Sequence, residues 1–419
     1  MNLLKTSILN GVAVLIKTAT MFILNKILAV YVGPAGYAAI GQFQNFIQMV
    51  TTFAGSAINT AVIKYTAEYY EDETKQKDVW KTAGSIVLLF SLIFSLIILI
   101  FQKQLSVYIF HTDLYQTVFV WFAVFLTFFT FNALFLAILN GKKEVLRLVT
   151  ANIVGSIFSL VVTSLLAVKY GLYGALVALS IYQSLAFLIT LFLCYKANWF
   201  KLSYLFGKID KVIAKKIAAF AFMALVSAVC VPLSQMAIRS YLTYEYGSTY
   251  AGYWEAMIRL SAAYLMLVTT TLGVYYLPRL SELSKIEEIR KEIFLGYKFI
   301  FPLAIVGGWV VYLLRDWIVA ILFTKTFLPM RDLFLWQMIG DSLKIGSWVL
   351  AYLMLSKAMT RLFVTTEIIF AITSILLTYV CTHIFGFEGV SIAHLVNYGM
   401  YWLVMSFFVF RVLKERFDQ

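Results

Sequence analysis

Four polar residues share one face of an apolar segment in the last third of the chain. They are Gln337, Asp341, Lys344 and Trp348, which point the same way at about 100° per helical residue. The surrounding residues 333–355 are otherwise apolar and long enough to span a bilayer. Each buried charge opposes membrane insertion by about 3 kcal/mol, whereas each Leu, Ile, Phe or Val favours it by only about 0.5 kcal/mol. The segment therefore needs neighbours that shield this face, as ionisable residues lining a cavity or pathway have.

The two charged residues of this face can also be explained by a purely structural role, without a functional site. Asp341 and Lys344 stand at i and i+3, so they can neutralise each other within a packed bundle. The eighth apolar segment poses the same choice, because Glu255 and Arg259 stand at i and i+4 beside Trp254. The two residues form either an intrahelical ion pair or part of a charged layer near the middle of the membrane.

The first apolar segment carries two lysines on opposite faces. Lys17 lies near the middle of the segment, so its ammonium group cannot easily reach water. Lys26 is closer to the outer surface and can extend to it. Lys17 is therefore the better candidate for a functional role, and it lies at the depth of the other charges.

The second segment carries an amide-rich stripe within an arc of roughly 120°. Its members are Gln42, Asn45, Gln48, Thr52, Ser56 and Asn59. Amides offer both a donor and an acceptor, which suits sugar hydroxyls. Hydrogen bonds between helices are the alternative. The length of the stripe favours a cavity lining.

The composition indicates an α-helical membrane protein with several spans. Of 419 residues, 62% are hydrophobic and 13% are charged, which excludes a soluble fold. The three cysteines lie far apart in apolar segments, and no His/Cys cluster has metal-ligand spacing. A phosphate-binding glycine-rich loop is also missing. We therefore expect no enzyme activity, no cofactor and no metal, and we interpret the N-terminal segment as a spanning helix, not a removable signal.

Twelve segments have the length and apolar character of membrane spans. They cover approximately 7–32, 36–63, 83–102, 115–139, 147–168, 172–195, 213–238, 249–277, 297–314, 332–355, 362–384 and 388–410. With a cytoplasmic N-terminus, the inner connections and ends hold 23 of the 34 Lys and Arg residues, and the outer connections hold four. This bias places both termini in the cytoplasm. The net charge of +13 therefore reports topology, and we expect no nucleic-acid partner.

The two halves of the chain repeat at an offset of about 214 residues. The sequence Gly171-Leu172-Tyr173-Gly174 matches Gly386-Phe387-Glu388-Gly389, and Lys26 falls opposite Arg239. Because each half has six segments, an axis along the membrane normal relates them, with a site between the halves. The predicted domains are a six-helix bundle at 1–196, a cytoplasmic linker at 197–212 and a second six-helix bundle at 213–419. Lys26 and Arg239, near matching outer ends, are the predicted gate.

Several short motifs resemble those of one transporter family. They are Gly33-Pro34-Ala35-Gly36, Tyr276-Leu277-Pro278-Arg279-Leu280, Phe323-Thr324 with Phe327, and Met330-Arg331-Asp332-Leu333-Phe334 running into Trp336-Gln337, Gly340-Asp341 and Leu343-Lys344. The whole chain resembles the Wzx-type flippases for lipid-linked O-antigen and enterobacterial common antigen. These form a polysaccharide-exporting branch of the MOP superfamily, which includes the MATE drug exporters. The resemblance implies a MATE-like fold with alternating access, coupled to protons or another cation as in an antiporter.

The resemblance also implies a substrate and roles for the residues above. The substrate would be an undecaprenyl-diphosphate-linked oligosaccharide, moved from the cytoplasmic to the periplasmic leaflet of a bacterial inner membrane. Cations would attract the diphosphate, since Coulomb attraction is far stronger in low dielectric than in water. These cations would be Lys17, Arg259 and Lys344, while the substrate's sugars would meet Gln42, Asn45, Gln48, Gln337, Trp254, Trp336 and Trp348. Asp341 or Glu255 would couple ions or balance charge.

Relatives in this family place an acidic residue before Ala-Tyr in the eighth segment. This chain reads Ser261-Ala262-Ala263-Tyr264 there, so the coupling role of that carboxylate does not carry over. Expected partners are inner-membrane lipids and the polymerase and chain-length proteins of lipopolysaccharide biosynthesis. The alternatives are a cation-coupled multidrug exporter of MATE type and a membrane polysaccharide polymerase, which the short outer loops disfavour.

Overall fold

The regular structure of the protein is helical. The computed structural model describes residues 3–283, 285–357 and 359–417, and these ranges contain no β-strand. The termini Met1 and Gln419, expected in the cytoplasm, lie outside the described residues. The α-helices are α1 Leu3–Tyr31, α2 Gly33–Phe53, α3 Asn59–Glu68, α4 Glu73–Phe110, α5 Gln116–Gly141, α6 Val145–Tyr195, α7 Lys211–Tyr246, α8 Ser248–Thr271, α9 Leu277–Glu282, α10 Ile286–Leu313, α11 Arg315–Leu322, α12 Phe334–Ser356, α13 Thr360–Phe385 and α14 Gly389–Phe417.

Many of these helices suit a lipid environment. Eight spans in the described part of the chain are long and apolar enough to cross a membrane, or nine if the bent α2–α3 pair counts as one. Two of the eight, Val145–Tyr195 and Thr360–Val409, have 51 and 50 residues. Each is about twice the length that a bilayer requires, and each is interrupted near its middle. The all-helical membrane architecture is as predicted, while the total of twelve spans stays a prediction.

The two interruptions have the same local geometry. Gly171 within α6 has φ 57° and Gly386 after α13 has φ 66°, a region that glycine occupies without a steric penalty. Three residues later, an added Cβ on Gly174 would lie 1.9 Å from the carbonyl oxygen of Leu166. The same atom on Gly389 would lie 2.2 Å from the carbonyl oxygen of Cys381. The matching Gly-x-x-Gly sequences therefore build one tight turn twice, as the internal repeat predicts.

The second predicted span is bent, which divides the amide stripe. α2 ends at Phe53, and the helical segments on either side of Gly55 meet at 64°. Gly55 has φ 144°, and an added Cβ would lie 2.7 Å from a methyl carbon of Val87 on α4. Gln42, Asn45, Gln48 and Thr52 share α2, whereas Ser56 and Asn59 lie beyond the bend. The expectation of one continuous stripe is therefore wrong, because close packing of α4 requires a glycine and a turn there.

The predicted linker packs against the first part of the chain. Within residues 197–212, Phe200 and Leu205 are buried in the core cluster that contains Trp80. An added Cβ on Gly84 of α4 would lie 2.2 Å from the carbonyl oxygen of Leu205, so the connection lies directly on that helix. These contacts fix the connection to α4 instead of leaving it as a free tether.

The chain divides into two compact units, Met1–Pro232 and Leu233–Gln419. The division falls inside α7 at Pro232, which cannot donate the usual backbone hydrogen bond and marks a point of weakness in the helix. It therefore lies downstream of the predicted linker. The six-helix bundles as functional domains stay a prediction.

Candidate functional site

α12 lies deep inside the second unit because two of its glycines admit neighbouring helices. An added Cβ on Gly340 would lie 2.6 Å from Cδ2 of His394 and 3.1 Å from the backbone of Leu395 on α14. An added Cβ on Gly346 would lie 3.1 Å from the indole of Trp402, also on α14. Small residues allow such close approach between membrane helices, where packing and hydrogen bonds drive association. The polar face of α12 is thus brought directly against α14.

Asp341 is the centre of a buried hydrogen-bond network. Its side chain is fully buried, and Oδ1 lies 2.9 Å from Nε2 of His394. The hydroxyl of Tyr264 on α8 donates to Oδ2 at 3.1 Å, and Nε2 of Gln337 donates to Oδ1 at 3.3 Å. Three helices therefore supply donors to one carboxylate. This is how a charge is accommodated at membrane depth, where an unpaired one is very costly.

Lys344 is held by aromatic rings and not by Asp341. Its ammonium nitrogen lies 5.0 Å from the ring centroid of Trp348 and 5.1 Å from that of Tyr398. These are cation–π distances, and the lysine stays half-buried. Among the described residues, the ion-pair partner of Asp341 is His394, and no ion pair joins it to Lys344. Asp341 and Lys344 therefore form no direct ion pair, although their charges lie close enough to interact.

A second charged cluster, the Arg–Glu–Arg triad, joins α7 to α8. Oε2 of Glu255 lies 2.5 Å from a guanidinium nitrogen of Arg239, and Oε1 lies 2.8 Å from Nε of Arg259. The Arg239 side chain is 1% exposed, and its guanidinium carbon lies 5.4 Å from the ring of Trp254. The Glu255–Arg259 ion pair, one of the two alternatives for these residues, is present, but it has a third member. With two cations and one anion, the triad carries a net charge of +1.

The burial of two predicted residues differs from what their roles suggest. Arg239 was expected near the outer surface as part of a gate, whereas the structure encloses its guanidinium with Glu255 inside the second unit. Trp254, expected to meet sugars, is only 5% exposed and faces Arg239. Both side chains are therefore part of the packing of the triad, because a buried arginine requires a paired carboxylate.

The predicted polar residues of the first unit lie on α1 and α2. Lys17 is exposed and Lys26 is half-buried. Gln42 and Asn45 are 6% and 8% exposed, whereas Gln48 is exposed. Among the described residues, the amide nitrogen of Asn45 has no hydrogen-bond partner. A buried donor without a partner is unusual and marks the middle of α2 as a place where a ligand hydroxyl could bind.

Comparison with known proteins decides the family. A family model described as polysaccharide biosynthesis protein matches residues 3–284. The chain is also 31% identical over 369 residues to the lipid III flippase of Escherichia coli (strain K12), covering 88% of each chain. The lipid III flippase of Shigella flexneri matches equally well. The chain belongs to the polysaccharide biosynthesis protein family. The resemblance to lipid-linked oligosaccharide flippases of the MOP superfamily is confirmed, and these relatives are named as transporters and not as enzymes.

Solved structures with the same fold include transporters and a flippase. An inward-facing multidrug resistance MATE family transporter of the MOP superfamily superposes with a TM-score of 0.74 at 14% identity, covering 95% of this chain and 96% of the transporter. The lipid II flippase MurJ in an inward closed conformation gives 0.74 at 16% identity, covering 97% of this chain and 87% of the flippase. At these identities the likeness shows the fold alone. The predicted MATE-like fold of a multi-pass membrane protein is confirmed.

In this member of the polysaccharide biosynthesis protein family, sequence spacing does not reveal three residues of the network. His394, Tyr264 and Tyr398 come from α14 and α8, while Asp341 and Lys344 are on α12. His394 was not among the predicted site residues. The available signal was weak: it is one of only three histidines, and it lies in an apolar span.

Metal binding has no support in the described part of this family member. No group of three or more His, Cys, Asp or Glu residues there could hold an ion. The Asp341–His394 pair has the right ligand types, but the other neighbours named above are Tyr264 and Gln337. These are hydrogen-bond donors to Asp341, which suits an anion-stabilising network better than a cation site.

Proposed function

We propose that the protein flips undecaprenyl-diphosphate-linked oligosaccharides from the cytoplasmic to the periplasmic leaflet of a bacterial inner membrane. The observation that carries this proposal is the 31% identity to lipid III flippases over 88% of each chain. The O-antigen repeat unit and the enterobacterial common-antigen intermediate are the two candidate cargoes. The same proposal places both termini in the cytoplasm and makes pathway polymerase and chain-length proteins the expected partners.

Cations in the second unit would hold the diphosphate. Lys344 is half-buried, so an anion can approach it, and its aromatic neighbours Trp348 and Tyr398 do not neutralise its charge. Arg259 is the more exposed arginine of a triad with net charge +1; its side chain is 14% exposed. In a partly desolvated site, each such charge attracts a phosphate several times more strongly than in water. Trp336 and Trp348, both half-buried, would stack against sugar rings.

The first unit would contribute polar groups on α1 and α2. Asn45 offers a buried amide donor, and Gln42 and Gln48 lie one turn before and one turn after it on the same helix. Such groups suit the many hydroxyls of a glycan. Lys17, exposed near the middle of α1, would add positive charge for the diphosphate. The bend at Gly55 limits this lining to the residues of α2.

Transport would proceed by alternating access coupled to an ion gradient. Ionisable residues at membrane depth are typical of such coupling, and Asp341 and Glu255 are the acidic candidates. Lys26 and Arg239 stay the predicted gate residues. Because Arg239 is buried with Glu255, opening of the gate at Arg239 would have to move the triad as a unit or break its ion pairs.

Complementation of flippase-null strains tests this proposal. Lys344→Ala should abolish complementation at normal membrane levels, whereas Lys344→Arg should keep part of it because the positive charge remains. Lys298→Ala is the matched control, since Lys298 is exposed on α10 and its substitution removes one positive charge outside the candidate site. Separate strains lacking the O-antigen flippase or the common-antigen flippase identify the glycan. Failure of the wild-type protein in both strains, or full activity of Lys344→Ala, would contradict the proposal.

A further inference from the structure

His394 is placed where a proton can change the charge of the α12 network. Its Nε2 lies 2.9 Å from Oδ1 of Asp341, and its ring centroid lies 4.8 Å from that of Tyr398. The side chain is 19% exposed, so the ring is mostly enclosed but not sealed. An added Cβ at position 340 would overlap the imidazole, so Gly340 is the residue that makes room for it.

The hydrogen bond fixes how a proton would be taken up. An ionised carboxylate only accepts hydrogen bonds, so Nε2 of His394 donates its hydrogen to Asp341. The neutral imidazole then carries its lone pair on Nδ1. An incoming proton binds Nδ1 and forms an imidazolium that keeps the bond to Asp341, and loss of the same proton restores the neutral ring. No other bond is made or broken.

Among the described residues, the charges that act on His394 are those of Asp341 and Lys344. α12 presents Asp341 and Lys344, α8 presents the Tyr264 hydroxyl through its bond to Asp341, and α14 itself presents Tyr398. With a neutral imidazole, the charges of Asp341 and Lys344 sum to zero. With an imidazolium, the network carries +1.

Titratable groups on α13 and α10, which also pack near α14, lie further from His394 along the helices. On the α13 side, Glu367 lies beside Tyr401, which is two turns beyond His394 on α14. On the α10 side, Tyr297 donates to the carbonyl oxygen of Gly346 and accepts from Trp402. Among the described residues, these helices therefore add no charge in contact with the imidazole.

We infer that the His394–Asp341 pair is a proton-binding site whose occupancy is linked to anion binding at Lys344. The inference rests on the proposed function for the identity of the anion, the diphosphate of a lipid carrier. Histidine is the side chain that ordinarily titrates near neutral pH. An anion near Lys344 favours the positively charged form of the network, and by linkage a bound proton raises the anion's affinity by the same factor. Protonation would then strengthen anion binding at Lys344, and deprotonation would weaken it.

Direct titration of the histidine tests the site without a transport assay. The chain has three histidines, so the variant with His111→Asn and His383→Asn leaves His394 as the single reporter. Solid-state NMR of the ¹⁵N-histidine-labelled protein in nanodiscs would follow its two ring nitrogens against pH. We expect one titration of Nδ1, with a midpoint that rises by about one pH unit, a tenfold effect, when undecaprenyl diphosphate is added. Absence of titration between pH 4 and 9, or an unchanged midpoint, would overturn the inference.

A conservative variant separates the linkage from the hydrogen bond. In His394→Gln the amide can still donate to Asp341 but cannot titrate. Binding of undecaprenyl diphosphate to the wild-type protein should weaken about tenfold from pH 5.5 to pH 8, and to the variant it should not change. Equal pH dependence in both proteins would refute the linkage. If the wild-type protein binds no lipid diphosphate at any pH, the proposed cargo is wrong and the linkage fails with it, while the NMR titration still decides whether the pair binds a proton.

Discussion

The Arg–Glu–Arg triad leads to a specific stability prediction. Glu255→Gln removes the negative charge that two guanidinium groups share, at 2.5 and 2.8 Å from its carboxylate oxygens. The new amide can accept from one arginine, but its amino group then faces the other, so two donors oppose each other. The net charge of the cluster rises from +1 to +2. Arg239, whose side chain is 1% exposed, has no route to water that would relieve this charge.

The expected cost follows from the burial of the triad. Removing one partner of a buried ion pair costs about 3–5 kcal/mol, because an uncompensated charge stays in low dielectric. We therefore expect Glu255→Gln to lower the free energy of unfolding by about 3–5 kcal/mol. Arg239→Gln should cost less, since Arg259 still pairs with Glu255. Denaturant unfolding in detergent micelles, followed by tryptophan fluorescence, measures both changes.

Two further variants make this prediction refutable. Glu245→Gln is the matched control, because Glu245 is exposed on α7 and its loss of charge should change stability by no more than about 0.5 kcal/mol. The double variant Arg239→Gln with Glu255→Gln should lose less than the sum of the single variants, as residues in direct contact do. If Glu255→Gln and Glu245→Gln unfold at the same denaturant concentration, the triad does not stabilise the protein in the way described.

The other predictions concern close packing and a buried hydrogen bond. Gly340→Ala should lower the free energy of unfolding by about 1–3 kcal/mol, because the new methyl group would overlap His394. Gly307→Ala is its control: an added Cβ there has nothing within 4 Å, so the change should be neutral or stabilising by up to about 1 kcal/mol. Equal effects of the two substitutions would contradict the close packing of α12 against α14 at Gly340. Thr66→Val should cost about 1–3 kcal/mol, since it removes the acceptor 2.9 Å from the buried indole nitrogen of Trp80. Unfolding in micelles measures this loss, and an undiminished free energy of unfolding would show that the indole has another acceptor.

Local sequence rules anticipated the turns that local geometry controls. The paired Gly-x-x-Gly sequences at 171–174 and 386–389 predicted two similar breaks, because only glycine accepts both the positive φ and the close backbone. The bend at Gly55 was missed, since helical periodicity continues through it and the reason for it is Val87 on another helix. The packing of residues 197–212 on α4 was likewise invisible, because it depends on tertiary contacts of the buried Leu205.

In the candidate site, too, the sequence predicted contacts within one helix but not contacts between helices. Spacing correctly grouped Gln337, Asp341 and Lys344 on one face of α12, and it paired Glu255 with Arg259. It could not show which helix packs against that face, because helical periodicity describes one helix at a time and not its neighbours in the bundle. The partners from other helices, such as His394 for Asp341 and Arg239 for Glu255, therefore emerged only from the folded structure.

Transport of a lipid-linked glycan by the purified protein tests the central claim most directly. The wild-type protein would be reconstituted into proteoliposomes with an undecaprenyl-diphosphate-linked oligosaccharide carrying a fluorescent label on its sugar. A membrane-impermeant quencher then reports the fraction of label on the outer leaflet. We predict that quenching exceeds the one-leaflet fraction seen in protein-free vesicles and that Lys344→Ala abolishes this excess. Quenching equal to that of protein-free vesicles, with correctly folded protein and an imposed proton gradient, would contradict the proposed function.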